Sequence, residues 1–228
     1  MAIYYWEDVQ GYVPNENTVI YYPILEDLLD HSGKWVTTTN IWTPTLTELN
    51  WVSCCRLNWS SSLDTNATLT NINSTMSIWF YRESGWGALI WNQPCGIYNW
   101  VAFTISNSTT FIYYVYWWSS SNSRSVSATW TWLQNNRHNY LVSNRKVYID
   151  WEYKTAISSS AVIWWTQVLN IWWHNPASSC SRAYSTWYAW EAFVELWEWS
   201  ADKIAEYVNA TKARYWITTS HASDAAVK

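Results

Sequence analysis

The chain has 228 residues, of which 49% are hydrophobic and only 13% are charged, and its formal net charge is −4. This length and apolar content are typical of one large folded domain and exclude a disordered chain. The acidic balance and the scattered basic residues argue against a nucleic-acid partner. The 23 tryptophans and 17 tyrosines stand beside only 5 glycines, which is few for the turns of a β-rich domain.

No targeting or metal-binding pattern is recognisable. The amino terminus lacks a basic, apolar leader, and no apolar run reaches the roughly 18 residues of a membrane span, so a cytoplasmic location is expected. The N-x-[ST] sites at Asn58, Asn66, Asn73, Asn107 and Asn209 are expected by chance in a chain rich in Asn, Ser and Thr. The four cysteines have no C-x-x-C spacing, and buried thiols are expected rather than a zinc site or a disulfide framework.

The first third of the chain is predicted to mix short helices with strands. In order, the pattern predicts a helix over 19–31, strands over 34–42 and 49–59, a polar loop over 60–73 and a short helix over 73–81. The first helix depends on Ile24, Leu25, Leu28 and Leu29, which form one face, and Ser32-Gly33 ends it.

The middle of the chain resembles an antiparallel meander. The apolar runs 98–106 and 110–118 flank a plausible hairpin loop at 107–109, further strands are predicted at 126–133 and 161–173, and 147–154 alternates most regularly. The pattern contains no internal repeat and no linker, so one domain over 1–228 is expected, with its core at about 19–215.

The last predicted element is a long amphipathic helix over 187–210. Its apolar positions recur every three or four residues, at Trp187, Trp190, Val194, Trp197, Ala201, Ile204 and Val208. Between them stand Glu191, Glu195, Glu198, Asp202 and Glu206, which are interpreted as a solvated face. The sequence therefore predicts an α+β helix-grip fold, in which a curved antiparallel β-sheet wraps around a long C-terminal α-helix.

This order of elements resembles the START (steroidogenic-acute-regulatory-related lipid transfer) family and the wider helix-grip superfamily of Bet v 1-like proteins. Trp91-Asn92 stands where that family has a Trp-Asp pair, and Arg124 follows strand 113–116 at the place of the family's arginine. Asn175-Pro176 precedes Trp187 at the spacing of the family's N-P-G-G turn. The sequence departs from the family at three places. Ser125 replaces an acid and Ala177-Ser178 replaces two glycines. Ala88 stands at about the position of a choline-binding arginine of one START protein.

The resemblance implies non-covalent binding and transfer of an apolar lipid, such as a sterol or a carotenoid, in an internal cavity. The predicted ligand-binding residues are Arg124, Trp130, Trp132, Trp164, Trp190, Val194 and Trp197. Arg124 could equally be a surface or structural hydrogen-bond donor. No cofactor is expected beyond a bound lipid or carotenoid; the expected partner is an apolar small molecule, with transient membrane contact and no nucleic acid.

The alternative hypothesis is a carbohydrate-binding β-sandwich, in which exposed Trp and Tyr rings stack on sugar faces. It explains the aromatic excess but not a long C-terminal helix. The two hypotheses differ in whether the tryptophans line a closed cavity or an exposed groove. No G-x-S-x-G, P-loop or G-x-G-x-x-G motif occurs, and His31, His138, His174 and His221 are scattered, so no enzymatic activity is expected.

Overall fold

The computed structural model describes residues 11–24, 27–41, 44–49, 52–57, 62–69, 73–85, 87–91, 100–106, 110–117, 120–127, 137–156, 167–171 and 185–215. In chain order their strands are β1 (Thr18–Tyr22), β2 (Thr38–Ile41), β3 (Thr45–Leu49), β4 (Val52–Leu57), β5 (Ser62–Leu69), β6 (Thr75–Gly85), β7 (Gly87–Trp91), β8 (Trp100–Ser106), β9 (Thr110–Trp117), β10 (Ser120–Ser127), β11 (His138–Ser143), β12 (Lys146–Ile149), β13 (Glu152–Ala156), β14 (Gln167–Ile171) and β15 (Ser185–Glu195). One helix, α1 (Ala201–Tyr215), follows them within these ranges.

The strands form two antiparallel sheets. The first has the order β13-β12-β11-β6-β15-β4-β3, and β1 also pairs with β15 beyond the end of β4. The second has the order β10-β9-β8-β7-β14-β5-β2. The predicted strands 98–106 and 110–118 are confirmed as the hairpin of β8 and β9, in which Ser106 pairs with Thr110.

The two sheets pack face to face around one apolar core. Ile78 of β6 and Val194 of β15 lie in the same buried cluster as Leu63 of β5 and Leu169 of β14. Side chains alternate across a strand, so each of these strands sends every second residue into this core. The result is a β-sandwich.

The outer face of the first sheet is also covered, by helix α1. Ile204, Tyr207 and Val208 of the helix share a second buried cluster with Trp79 and Trp190 of the sheet. Ser200 caps the helix, since its Oγ accepts from the Lys203 amide at 3.2 Å. Within the described residues no helix is both long and apolar enough to cross a membrane.

A β-bulge in β15 turns two consecutive residues toward the helix. Ala189 pairs with Phe80 and Glu191 pairs with Trp79, so Trp190 is the extra residue. Trp190 packs in the cluster beneath the helix. Glu191 bonds to Tyr207 of the same helix. The bulge therefore places an indole and a carboxylate side by side under α1.

The helix-grip prediction is wrong, and β15 shows why. Residues 185–195 form a strand, and only 201–215 are helical. Both faces of β15 are covered, so apolar residues fall at nearly every position, and a subset of them has helical spacing by coincidence. The predicted solvated face is also wrong for Glu191 and Glu195, which are 0% and 1% exposed.

Other predicted elements also differ. The predicted helix over 19–31 overlaps β1 and a turn, and the predicted helix over 73–81 overlaps β6. The predicted loop over 60–73 contains β5, in which Leu63, Thr65, Ala67 and Leu69 alternate inward. The alternating stretch 147–154 is a hairpin of β12 and β13 rather than one strand.

Two buried thiols confirm part of the cysteine prediction. Cys54 and Cys55 are free and fully buried in β4, on opposite faces of the first sheet. Burial raises the pKa of the Cys54 thiol to about 11, so it stays protonated at neutral pH. Cys95 and Cys180 lie outside the described residues.

The hairpin turns of the first sheet are made without glycine. Asn144 and Arg145 connect β11 to β12 with φ of 47° and 58°, and Asp150 and Trp151 connect β12 to β13 with φ of 51° and 66°. Positive φ at both central positions is what a tight type I′ hairpin requires, and Asn and Asp tolerate it. The low glycine content is therefore compatible with a β-rich fold, at the cost of strain at Arg145 and Trp151.

We expect Trp151→Gly to raise the free energy of unfolding by about 1 kcal/mol, because glycine adopts positive φ without the roughly 1–2 kcal/mol penalty of other residues. Urea unfolding of the variant measures the gain. Trp151→Ala is the matched control, since it removes the same ring but keeps the strain. Equal stabilities of the two variants would contradict the assignment of strain to this position.

Candidate functional site

A groove of about 240 Å³ opens on the outer face of the sandwich, beside helix α1. Its lining residues come from the amino-terminal segment 11–15, the loop before the helix and the helix itself, and they are Gly11, Tyr12, Val13, Asn15, Trp199, Lys203, Glu206, Tyr207 and Ala210. We call this the amino-terminal groove. Three of its residues are aromatic, and three carry polar groups at the rim.

The aromatic walls are held by contacts with Phe193 of β15. The Tyr12 ring stacks on Phe193 with centroids 3.9 Å apart and an angle of 8° between the planes. Tyr207 meets the same ring edge-on at 5.3 Å, and Trp199 lies 5.1 Å from it. All three walls thus pack on one buried ring of the sheet, which fixes their relative positions.

Buried Glu191 ties two of the walls to the sheet. Its Oε2 accepts from the Tyr12 amide at 3.2 Å, and its Oε1 accepts a short hydrogen bond from the Tyr207 hydroxyl. The Tyr21 hydroxyl lies 3.4 Å from Oε2. A buried carboxylate is stable only when it is hydrogen-bonded, and these donors meet that need while joining segment 11–15 and α1 to β15.

Glu195 makes a second such connection. The Tyr12 hydroxyl donates to its Oε2 at 2.9 Å, and Lys203 Nζ lies 3.5 Å from its Oε1. Desolvation by burial, together with the charges of Glu195 and Glu191, raises the pKa of Tyr12 well above its ordinary value. Tyr12 therefore remains a protonated donor at every physiological pH.

The rim of the groove is polar and of mixed charge. Lys203 and Glu206 are exposed, and Asn15 is half-buried. The Lys203 ammonium lies 4.3 Å from the centroid of the Trp199 ring, within cation–π distance. An aromatic wall with a few amide, carboxylate and ammonium groups at its edge suits a ligand that carries both an apolar face and hydroxyl groups.

The part of the chain that the structure describes holds no group of three His, Cys, Asp or Glu side chains placed to bind a metal ion. His138 and Asp150 are in contact, with Nδ1 2.7 Å from Oδ2, and both are buried. Asp150 also accepts from the Asn139 amide at 2.8 Å. We interpret this pair as the support of the Asp150–Trp151 turn.

Of the predicted ligand-binding residues, the structure describes the side chains of Trp190, Val194 and Trp197, which lie in three different surroundings. Trp190 is fully buried beneath the helix, where the Arg137 guanidinium lies 4.2 Å from its ring centroid. Val194 is buried between the sheets, and Trp197 is 62% exposed. Arg124 is opposite Tyr113 in the β9–β10 ladder, and its side chain lies outside the described residues, as do Trp130, Trp132 and Trp164 altogether.

The residues of the groove were missed because nothing in the sequence brings them together. Segment 11–15 precedes the first predicted element, and Lys203 and Glu206 stand on the solvated side of the predicted helix. The available signal was Glu191 and Glu195, two carboxylates within an apolar run. Such residues are buried only when paired, so they point to a polar site on a covered sheet face.

Comparison with known proteins supports the sandwich. No family model and no curated protein matches the sequence. The receptor-binding domain of botulinum neurotoxin D is similar in structure, with a TM-score of 0.68 and 13% identity over 87% of this chain and 54% of that one. The receptor-binding domain of botulinum neurotoxin type G has a TM-score of 0.67 and 12% identity over 85% of this chain and 51% of that one. A structure of the type C neurotoxin, whose cell entry is described as dependent on interaction with two ganglioside molecules, has a TM-score of 0.64 and 11% identity over 85% of this chain and 51% of that one.

These similarities show a shared fold and correct the family resemblance. The chain spans about half the length of the solved structures that it matches. The resemblance to START and Bet v 1-like proteins is wrong, because the strands form a two-sheet sandwich. The predictions of sterol or carotenoid transfer and of an apolar small-molecule partner are therefore also wrong, because side chains from both sheets fill the space between the sheets.

Proposed function

We propose that this chain is a non-catalytic carbohydrate-binding module and that the amino-terminal groove is its sugar site. The observation that carries the proposal is the groove's composition, in which aromatic walls formed by Tyr12, Trp199 and Tyr207 meet a rim of Asn15, Lys203 and Glu206. Tyr12, Trp199 and Tyr207 are 6%, 6% and 7% exposed, so they offer a sugar ring a small apolar contact, and the polar rim groups offer hydrogen bonds to its hydroxyl edges.

The surface of the sandwich adds support. Trp35, Tyr153 and Trp197 are 95%, 53% and 62% exposed. Exposed aromatic rings are available to stack on the apolar face of a sugar. The type C neurotoxin is described as interacting with gangliosides, whose head groups are sialylated oligosaccharides, so the structural similarity agrees with carbohydrate as the ligand class.

Non-catalytic binding is also in keeping with the receptor-binding role named for the similar structures. Glu191 and Glu195 are the buried carboxylates behind the groove walls, and both are occupied by hydrogen bonds from tyrosine and lysine. We assign them a positioning role. We further propose that the chain works as one module, since one core joins strands from β1 to β15.

We expect Glu206→Gln to weaken binding of the best ligand on a glycan array by about tenfold, the effect of losing a hydrogen bond to a charged group. Calorimetric titration measures the change. Asp202→Asn is the matched control, because it removes one carboxylate from the first turn of the same helix without touching the groove. Equal losses in both variants, or none in either, would contradict the placement of the site.

A further inference from the structure

Trp35 is the most exposed large hydrophobic side chain among the described residues, with 95% of its surface accessible. Its φ is 56°, in the left-handed region that bulky residues avoid. The exposed indole gains almost nothing from folding, and the strained backbone opposes it. Such strain is usually kept where function requires the conformation.

The loop that carries Trp35 is rigid. Before it, the Lys34 amide donates to Ser32 Oγ at 3.2 Å, and Ser32 in turn donates to Asp30. After it, Val36 packs against the core between the sheets, and the Thr37 amide donates to Asn66 Oδ1 at 2.9 Å. The ring is therefore presented on a fixed support, so little conformational entropy is lost when a ligand covers it.

The same loop adjoins the amino-terminal groove. Lys34 Nζ donates to the Glu16 carbonyl at 2.8 Å, and Glu16 follows the segment 11–15 that lines the groove. The Asn15–Asn17 turn is itself closed by the bond from the Asn17 amide to Asn15 Oδ1 at 2.8 Å. Segment 11–17 thus forms a ridge, with the groove along 11–15 and the Trp35 loop held at its end.

The charges around the ring favour an uncharged sugar over a lipid surface. Asp27 and Asp30 lie in the same loop, and Lys34 is the one lysine or arginine between them and Trp35. Its ammonium is already bonded to the Glu16 carbonyl. Residues 27–37 thus carry two aspartates and one lysine, with no cluster of cations to hold phosphate head groups or acidic sugars, and one exposed leucine, Leu29, gives little further apolar area for a bilayer.

We propose that Trp35 is a second stacking position of the sugar site and that the ligand is a neutral oligosaccharide that extends from the groove over the ridge 11–17. This inference rests on the proposed function. The groove contributes the hydrogen bonds of one sugar unit, and Trp35 contributes the apolar face of another. A ligand of a single sugar unit then contacts the groove alone.

The experiment compares the full chain with Trp35→Ala and Trp151→Ala. Trp151 is the matched control, because it is also an exposed tryptophan at positive φ in a turn. It lies at the His138 end of β11, whereas the groove residue Trp199 contacts Ser143 at the other end. Each variant is titrated by calorimetry with neutral and sialylated oligosaccharides and with the matching monosaccharide, after thermal unfolding confirms an unchanged midpoint.

Trp35→Ala should lower affinity for the neutral oligosaccharide by at least about tenfold, as expected for truncation of a tryptophan hot spot. Monosaccharide binding and Trp151→Ala should stay at the wild-type level. Wild-type affinity in Trp35→Ala, with binding still weakened in Glu206→Gln, would overturn the second position and leave the proposed function intact. Tighter binding of the sialylated ligand, or binding of the wild-type chain to phosphatidylcholine vesicles that Trp35→Ala abolishes, would overturn it too. Failure of the wild-type chain to bind any glycan would overturn both proposals.

Discussion

Replacing Trp190 with alanine is expected to lower the free energy of unfolding by about 3–5 kcal/mol, the range for deleting a large buried aromatic side chain. Trp190 is fully buried between the first sheet and α1, beside Trp79 and the Arg137 guanidinium. Removal of its indole leaves a cavity that the rigid sheet cannot close. Guanidinium chloride unfolding, followed by circular dichroism, measures the loss.

Trp197→Ala provides the control for this experiment. Both residues stand on the apolar face of the helix that the sequence predicts, and that helix would bury them equally. In the sandwich, Trp197 is 62% exposed, so its replacement should change the free energy of unfolding by less than about 0.5 kcal/mol. Similar losses of unfolding free energy in the two variants would favour the predicted helix and contradict the assignment of residues 185–195 to strand β15.

Glu191→Ala is expected to lower the free energy of unfolding by about 2–4 kcal/mol. The variant leaves the Tyr207 hydroxyl and the Tyr12 amide as buried donors without this acceptor, each costing about 1–3 kcal/mol. Part of this cost is offset, because the variant no longer has to remove a carboxylate from water on folding. Chemical unfolding measures the effect. The same change should abolish glycan binding, since both walls of the groove lose their anchor.

Glu48→Ala is the matched control for Glu191→Ala, because Glu48 is a strand glutamate on the exposed edge strand β3. We expect it to leave stability and binding unchanged. Glu191→Gln should be intermediate, since its carbonyl oxygen accepts one donor but its amide faces the other. A Glu191→Ala variant as stable as Glu48→Ala would show that the carboxylate does not hold the groove together.

The parts of the fold that the sequence predicts best are those with a single periodicity. Strands 98–106 and 110–118 appear as the β8–β9 hairpin, because each is an apolar run next to polar turn residues. The carboxyl-terminal half of the predicted helix is also correct. Ile204 and Val208 are buried while Asp202 and Glu206 are exposed, since one side of α1 meets the sheet and the other meets water.

The rest failed where two sides of an element are covered or where polar residues face inward. β15 and β6 each lie between a core and a second layer, which removes the alternation that identifies a strand. β5 was predicted as a loop because its residues are largely polar. Thr65 of this strand is nevertheless buried, since its hydroxyl bonds to the Leu169 carbonyl at 2.6 Å. The groove depends on contacts between Tyr12 and residues about 180 positions later, which no local pattern encodes.

The central claim is that sugar binds in the amino-terminal groove, and a crystal structure of the chain with its best array ligand tests it most directly. The account predicts a sugar ring against the walls formed by Tyr12, Trp199 and Tyr207, with hydroxyl groups bonded to Asn15, Lys203 or Glu206. Electron density for the sugar at any other place on the sandwich, with the groove empty, would contradict it.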